Sequence, residues 1–140
     1  MYEYACKVKR VVDGDTVDVV LDLGFDILHK CRVRLYGIDT PESRTRNLDE
    51  KARGKMAGAF LKDAIDTGKK VVIQTKLKDS RGKFGRVLGN IIVDGKNINQ
   101  SMIDNYHAAA YFGQSKEAIE AVHSANRTRL IELGLFEPVK

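Results

Sequence analysis

The sequence predicts an α+β fold, a small closed barrel of five strands with three helices in the order βββαββαα. Three observations carry that reading. The 140 residues suit a single domain over positions 1–140. Five short segments alternate apolar and polar residues or are rich in β-branched ones, whereas three longer segments repeat their apolar residues at spacings of three and four. Five short strands in an open sheet would leave two unpaired edges, and closure into a barrel removes them.

The first strand is the apolar-rich stretch Val8 to Val12. In the second, Val17, Val19, Leu21 and Leu23 alternate with Asp18, Val20 and Asp22. After Gly24 the third sets Cys31, Val33 and Leu35 on one face and Lys30, Arg32, Arg34 and Tyr36 on the other. Between Asn47 and Gly68 the period changes, with Ala52, Met56, Ala59, Phe60 and Ala64 on a helical stripe. Asn47 with Glu50 reads as its capping pair and Gly68 as its stop. Lys69 to Leu77 and Val87 to Val93 supply the fourth and fifth strands, the latter ended by the turn pair Asp94-Gly95. Two further helices follow: Ile98 to Tyr106, with Ile98, Met102 and Ile103 inward, and Ser115 to Leu133, with Ile119, Val122 and Leu130 inward and Gly134 as stop. A helix between the third and fourth strands of a five-stranded barrel is the OB-fold arrangement, whose outer face and loops often bind nucleic acids.

Hydrophobic residues at 43% and charged residues at 31% exclude disorder, collagen-like repeats and coiled coil as descriptions of the whole chain. No apolar run approaches the roughly 18 residues that a membrane span needs, so no membrane partner is expected. The N-terminus lacks the apolar stretch of a signal peptide, which favours the cytoplasm, with secretion open if a leader was removed. A net charge of +5 is a modest pointer to a polyanionic partner. Cys6 and Cys31 form no Cys-x-x-Cys pattern, which excludes a zinc ribbon and favours two free thiols. His29, His107 and His123 show no zinc-ligand spacing and are expected as surface or packing residues.

Three segments hold chemistry-bearing residues, and each has two readings on its own. Asp13-Gly14-Asp15-Thr16 is a hairpin turn or a carboxylate pair at the start of the second strand. An EF-hand is excluded, because the ligand ladder breaks at Val17 and the twelfth position lacks a glutamate. Arg34 through Glu42 leaves a strand with an arginine on the non-core face and sets Asp39 and Glu42 three residues apart. It is a loop with a helix-start signature, or, with the aspartates of the first segment, a set of hard oxygen ligands of the kind Ca²⁺ takes. Lys83-Phe84-Gly85-Arg86 is a solvated hairpin tip or a site where Arg86 and Arg34 grip phosphate oxygens in two-pronged fashion.

These segments, in this order and with Asp94-Gly95 leading into a helix, resemble the staphylococcal nuclease (thermonuclease) family from about Val8 to Phe136. The resemblance implies a Ca²⁺-dependent phosphodiesterase on an OB-fold barrel that cleaves DNA and RNA with little sequence preference. It would release the 5′ oxygen to leave 3′-phosphate products. Separately, the chain is expected to be a monomer. Asp15 and Asp39 resemble the metal carboxylates, with the Thr40 carbonyl as a further ligand. Glu42 resembles the residue that orients or deprotonates the attacking water, and Arg34 and Arg86 the pair on the scissile phosphate. Lys83 and Tyr111 match positions near a bound nucleotide's terminal phosphate.

The sequence departs from the family in three places. Phe84 and Gly113 stand where tyrosines are common, and Val20 to Arg32 is longer, which extends the hairpin. The alternative function is a non-catalytic OB-fold module that binds nucleic acid, and loss of Asp15, Arg34, Glu42 or Arg86 would have favoured it.

Overall fold

The computed structural model describes residues 2–76 and 86–139, with residue 86 described through its backbone alone. In chain order the elements are β1 (Glu3–Asp13), β2 (Thr16–Asp22), β3 (Leu28–Leu35), β4 (Ile38–Asp39), α1 (Leu48–Asp66), β5 (Val71–Thr75), β6 (Arg86–Val93), β7 (Lys96–Asn97), α2 (Ile98–Asp104), β8 (Ala109–Ala110) and α3 (Lys116–Glu132). Strands β1, β2 and β3 form an antiparallel meander, and β5 pairs antiparallel with both β1 and β6. Parallel pairing of β6 with β3 closes the ring, giving the expected five-stranded OB-fold barrel of the α+β class. The three two-residue strands were not expected. They are too short to leave a periodic trace: β7 folds back on β6 through Asp94-Gly95, and β4 pairs with β8.

β1 is longer than the predicted Val8 to Val12, because Lys7, Lys9 and Arg10 interrupt the apolar run without interrupting the strand. Tyr4, Cys6 and Val8 face inward on alternate positions; a bulge between Val8 and Arg10 then changes the phase, so that Val11 also turns in. Bulges sharpen twist and bend a strand. β1 pairs with β5 through Glu3 to Ala5 and with β2 from Cys6 onward, the bulge falling within the second stretch.

Inside the barrel lie Val17, Val19, Leu21, Val33, Leu35, Ile73, Ile91 and Val93, all buried. Helix α1 packs against it with Ala57, Leu61 and Ile65, and α2 adds Ile98 and Met102. The α1 stripe is therefore rotated from the predicted one: Ala59 is exposed, while Phe60 and Ala64 only flank the core. Alanines populate both faces of this helix, so they marked its period without fixing its phase. In α3, Ile119 and Leu130 are buried as expected, but Val122 is exposed. Gly68 follows the Thr67 cap of α1 without a positive φ. Its reason is close approach, since a Cβ there would collide with Val93.

Candidate functional site

The site forms where the β1–β2 turn meets the end of β3. Register opposes Thr16 to Arg34, so Asp15 and Arg34 become neighbours across the ladder, and Leu35 N–H donates to the Asp15 carbonyl at 2.8 Å. The Arg34 guanidinium lies 3.4 Å from Asp15 Oδ2 and 3.8 Å from Asp39 Oδ1. It also donates to the carbonyls of Leu35 and Ile38 at 3.1 and 3.0 Å, which fixes its plane. Asp15 in turn accepts from Thr40 N–H at 3.3 Å and from the Thr16 hydroxyl at 3.1 Å. Asp15, Arg34 and Asp39 thus converge on one point, with only 14%, 21% and 33% of their side chains exposed.

Helix α1 sets the remaining carboxylate through residues too small to hold it off. A Cβ on Gly54 would lie 2.7 Å from the Glu42 carbonyl carbon and oxygen and from the Pro41 carbonyl, so the Pro41–Glu42 backbone rests directly on the helix. Gly14 sits one turn along, against Ala57 and Thr40. The predicted capping pair is half formed. Asn47 accepts from Glu50 N–H at 3.0 Å, but the Glu50 carboxylate reaches Glu42 N–H at 3.2 Å instead of closing back on the cap. Partial burial pushes the Glu42 carboxyl above its ordinary range, and the negative charges of Asp15, Asp13, Asp39 and Glu50 add to the shift.

His123 was expected to be a packing or surface residue, and it reaches the site. Its Nε2 lies 2.8 Å from Asp39 Oδ2, while its buried Nδ1 has no partner among the described residues. One turn later on the same helix face, Arg127 clamps both oxygens of Asp49 in α1 at 3.0 and 3.1 Å, and Arg53 adds a bond at 2.9 Å. That clamp docks α3 and brings His123 to Asp39. The available signal was the four-residue spacing of His123 and Arg127 on a polar face, which carries no motif.

A cleft of about 660 Å³ opens beside these groups, lined by Arg34, Tyr36, Asp39, Leu88, Tyr111 and Gly113 among others. Tyr111 stands half-exposed on its rim, its N–H donating to the Gly37 carbonyl at 2.7 Å. Gly113 adopts a φ of +89°, a region that a tyrosine would enter only with strain. Tyr36, missed as a site residue, lines the cleft with Lys76 Nζ 4.8 Å from its ring centre. Position 86 opens β6 opposite Arg32, one strand from Arg34. Lys83 and Phe84 lie outside the described residues.

Among the described residues no three His, Cys, Asp or Glu side chains group as a metal site. The predicted set asks for two carboxylates, Asp15 and Asp39, with the Thr40 carbonyl. Its chemistry fits a hard cation, being all oxygen. Asp15 and Asp39 share the single Arg34 guanidinium, at 3.4 and 3.8 Å, with Glu42 close by, so the acidic groups outnumber the one cation among them, an imbalance a divalent ion would relieve.

The family model for staphylococcal nuclease homologues matches residues 32–130. Of the predicted site residues, Asp15 alone precedes that span. The chain is 32% identical over 116 residues to endonuclease YhcR of Bacillus subtilis strain 168, covering 79% of this chain and 9% of that protein. It is 34% identical over 105 residues to a thermonuclease of Staphylococcus intermedius, covering 75% and 58%. Endonuclease YncB of B. subtilis is 31% identical over 94 residues, covering 67% and 42%. The chain spans less than two thirds of the length of each of these relatives.

Proposed function

This chain belongs to the staphylococcal nuclease family, and from that premise we propose that it is a metal-dependent nuclease hydrolysing phosphodiester bonds of DNA and RNA with little sequence preference. Ca²⁺ is the proposed ion, the 5′ oxygen the leaving group, and 3′-phosphate the product. The observation that carries this reading is the Arg34 guanidinium held between Asp15 and Asp39 at the mouth of the cleft, with Glu42 beside them.

In-line attack on a phosphodiester brings hydroxide toward an anion and builds charge on the phosphate oxygens. A bound divalent cation would neutralise part of that charge and lower the pKa of water. Asp15 and Asp39, with the Thr40 carbonyl, would hold it. Arg34, its plane fixed by two carbonyls, presents donors to the phosphate at no further orienting cost. Arg86 takes the same role in the proposal, while Lys83 and Tyr111 contact the nucleotide's terminal phosphate. Glu42 orients the water and accepts its proton. Its raised pKa suits that task, because a base works best when its pKa approaches the working pH.

Two measurements test the proposal. Labelled single- and double-stranded DNA and RNA are digested with Ca²⁺, Mg²⁺ or excess chelator, and full activity in chelator would reject the metal. Glu42→Gln keeps the shape and removes the proton acceptor, so single-turnover cleavage should fall by ~10² to 10⁴ while DNA affinity changes far less. Cleavage near the parent rate, or affinity falling as far as rate, would remove Glu42 from the mechanism.

A further inference from the structure

The outer face of β1, β2 and β3 carries a charge pattern that the cleft does not use. Alternation places Lys30 and Arg32 on the same face of β3 as Arg34, at intervals of about 7 Å along the strand. Cross-strand neighbours widen this column. Arg32 faces Asp18, which faces Arg10, and Lys30 faces Val20, which faces Lys7. Lys9 is exposed beside them at the bulge. Lys7, Lys9, Arg10, Lys30 and Arg32 thus share this face with the carboxylates of Glu3, Asp18 and Asp22, and Asp13 is near enough to act on Arg32, so the cations still outnumber the acids. Arg32 is fixed by a two-pronged pair with Asp18 at 2.8 and 3.2 Å. Lys7, Lys9 and Lys30 form no ion pair among the described residues, and they line a groove of about 650 Å³ with Val20, Leu28 and a single carboxylate, Asp22.

The column ends at an aromatic. The β2–β3 hairpin closes through Leu23 N–H to the Ile27 carbonyl and Ile27 N–H to the Gly24 carbonyl, both at 2.9 Å. Phe25 and Asp26 hold φ of 55° and 62°, a left-handed conformation that bulky residues rarely adopt. The turn therefore projects Phe25 into solvent, where it is 97% exposed. Leu23, Ile27 and Leu28 are exposed beside it, so the hairpin end presents a contiguous apolar patch of the kind that marks a contact surface.

We propose that this face is a second nucleic-acid contact, a track that grips the backbone of a single strand leading away from Arg34 and stacks a base on Phe25. The proposal rests on the nuclease reading and extends it to substrate choice. A line of cations separated much as successive phosphates are in an extended strand, ending in an exposed ring, is the pattern of sequence-independent single-strand binding. The ring needs an unstacked base, which favours single strands over duplex.

The test measures affinity in chelator, so that nothing is cut, for oligothymidylates of about 20 and about 4 nucleotides. The parent should bind the longer strand at least tenfold more tightly. In the double variant Lys7→Gln, Lys30→Gln that preference should collapse, and the salt slope should fall by about 1.4, two phosphate contacts at ~0.7 each. Phe25→Ser should weaken long-strand binding about fivefold or more, the lower end of stacking on one ring, with short-strand binding within twofold of the parent. All three positions are on the surface, and circular dichroism checks that the variants are folded. Variants that match the parent on the long strand would reject the track and leave the nuclease reading intact. A parent that binds neither length in chelator would also reject the track, whereas the nuclease reading stands or falls separately on cleavage of the same strands in Ca²⁺. Binding to phosphatidylserine vesicles that Phe25→Ser abolishes, with long-strand affinity unchanged, would make this face a lipid contact and overturn the proposal.

Discussion

Gly54→Ala sets a helix gain against a packing loss, and the two can be separated. Alanine in a helix interior is favoured over glycine by about 1 kcal/mol. Its Cβ, however, would lie 2.7 Å from the Glu42 carbonyl carbon and oxygen and from the Pro41 carbonyl oxygen, all of them backbone atoms that cannot rotate away. Relief requires the loop or the helix to retreat by roughly 0.7 Å, and overpacking of this kind typically costs 1 to 3 kcal/mol. The net change in stability is then between about 0 and 2 kcal/mol of loss. The same retreat moves Glu42, and a misplacement near 1 Å costs on the order of 10² in rate. Gly58→Ala is the control: it brings the same helix gain, and its Cβ would meet only Gly14 N at 3.9 Å, an ordinary contact. Urea unfolding and single-turnover cleavage of labelled DNA should show Gly54→Ala 10- to 100-fold slow at modest cost in stability, and Gly58→Ala as fast as the parent and slightly more stable. A parental rate for Gly54→Ala, or an equal loss in Gly58→Ala, would refute the claim that α1 sets Glu42 through this contact.

Asn99, which is 3% exposed, donates to the carbonyls of Tyr36 and Gly89 and accepts from Ile91 N–H. Asn99→Ala would strand those groups and should cost about 3 kcal/mol by urea unfolding. Burial lowers the pKa of His107, so the unfolded chain takes up a proton that the folded chain resists. Stability should therefore fall as pH drops below about 6.5, and His107→Gln should flatten that slope. Glu42 has the opposite sign: its carboxyl is raised in the fold, so ionisation works against folding as pH rises through the shifted value. The urea midpoint of Glu42→Gln at neutral pH should accordingly exceed the parent's. His123→Ala frees Asp39 Oδ2 from its 2.8 Å contact; calorimetric Ca²⁺ titration of the variant, checked as folded by circular dichroism, should show weaker binding, and unaltered affinity would reject His123 as a positioning residue for Asp39.

What the sequence made legible follows the range of the interaction that sets each feature. Strand phase in β2 and β3 depends on burial of alternate residues, and Val17, Val19, Leu21, Val33 and Leu35 carried it correctly. The Asn47 cap and the Asp94-Gly95 turn depend on bonds within a few residues and were equally plain. The phase of α1 was misread because the helix meets the site with Gly54 and Ala57, chosen for lack of bulk, whereas hydrophobic periodicity records bulk. Position 122 of α3 was misassigned for a related reason. That helix packs partly through Arg127 and His123, polar side chains whose partners Asp49 and Asp39 lie far away in sequence.

The same division runs through the candidate site. Asp15, Arg34, Asp39 and Glu42 sit in turns and at strand ends, where local chemistry announces an unusual residue, and the fold brings these four together at one end of the barrel. The groups that hold them there announce nothing. Thr40 N–H on Asp15, His123 on Asp39 and the bare Cα of Gly54 under Glu42 are each ordinary residues until the barrel closes and α1 and α3 dock. A carboxylate cluster repels itself, so it persists only where such contacts are already in place. The supporting shell is therefore part of what makes the four acidic and basic side chains a site, and it becomes visible only in three dimensions.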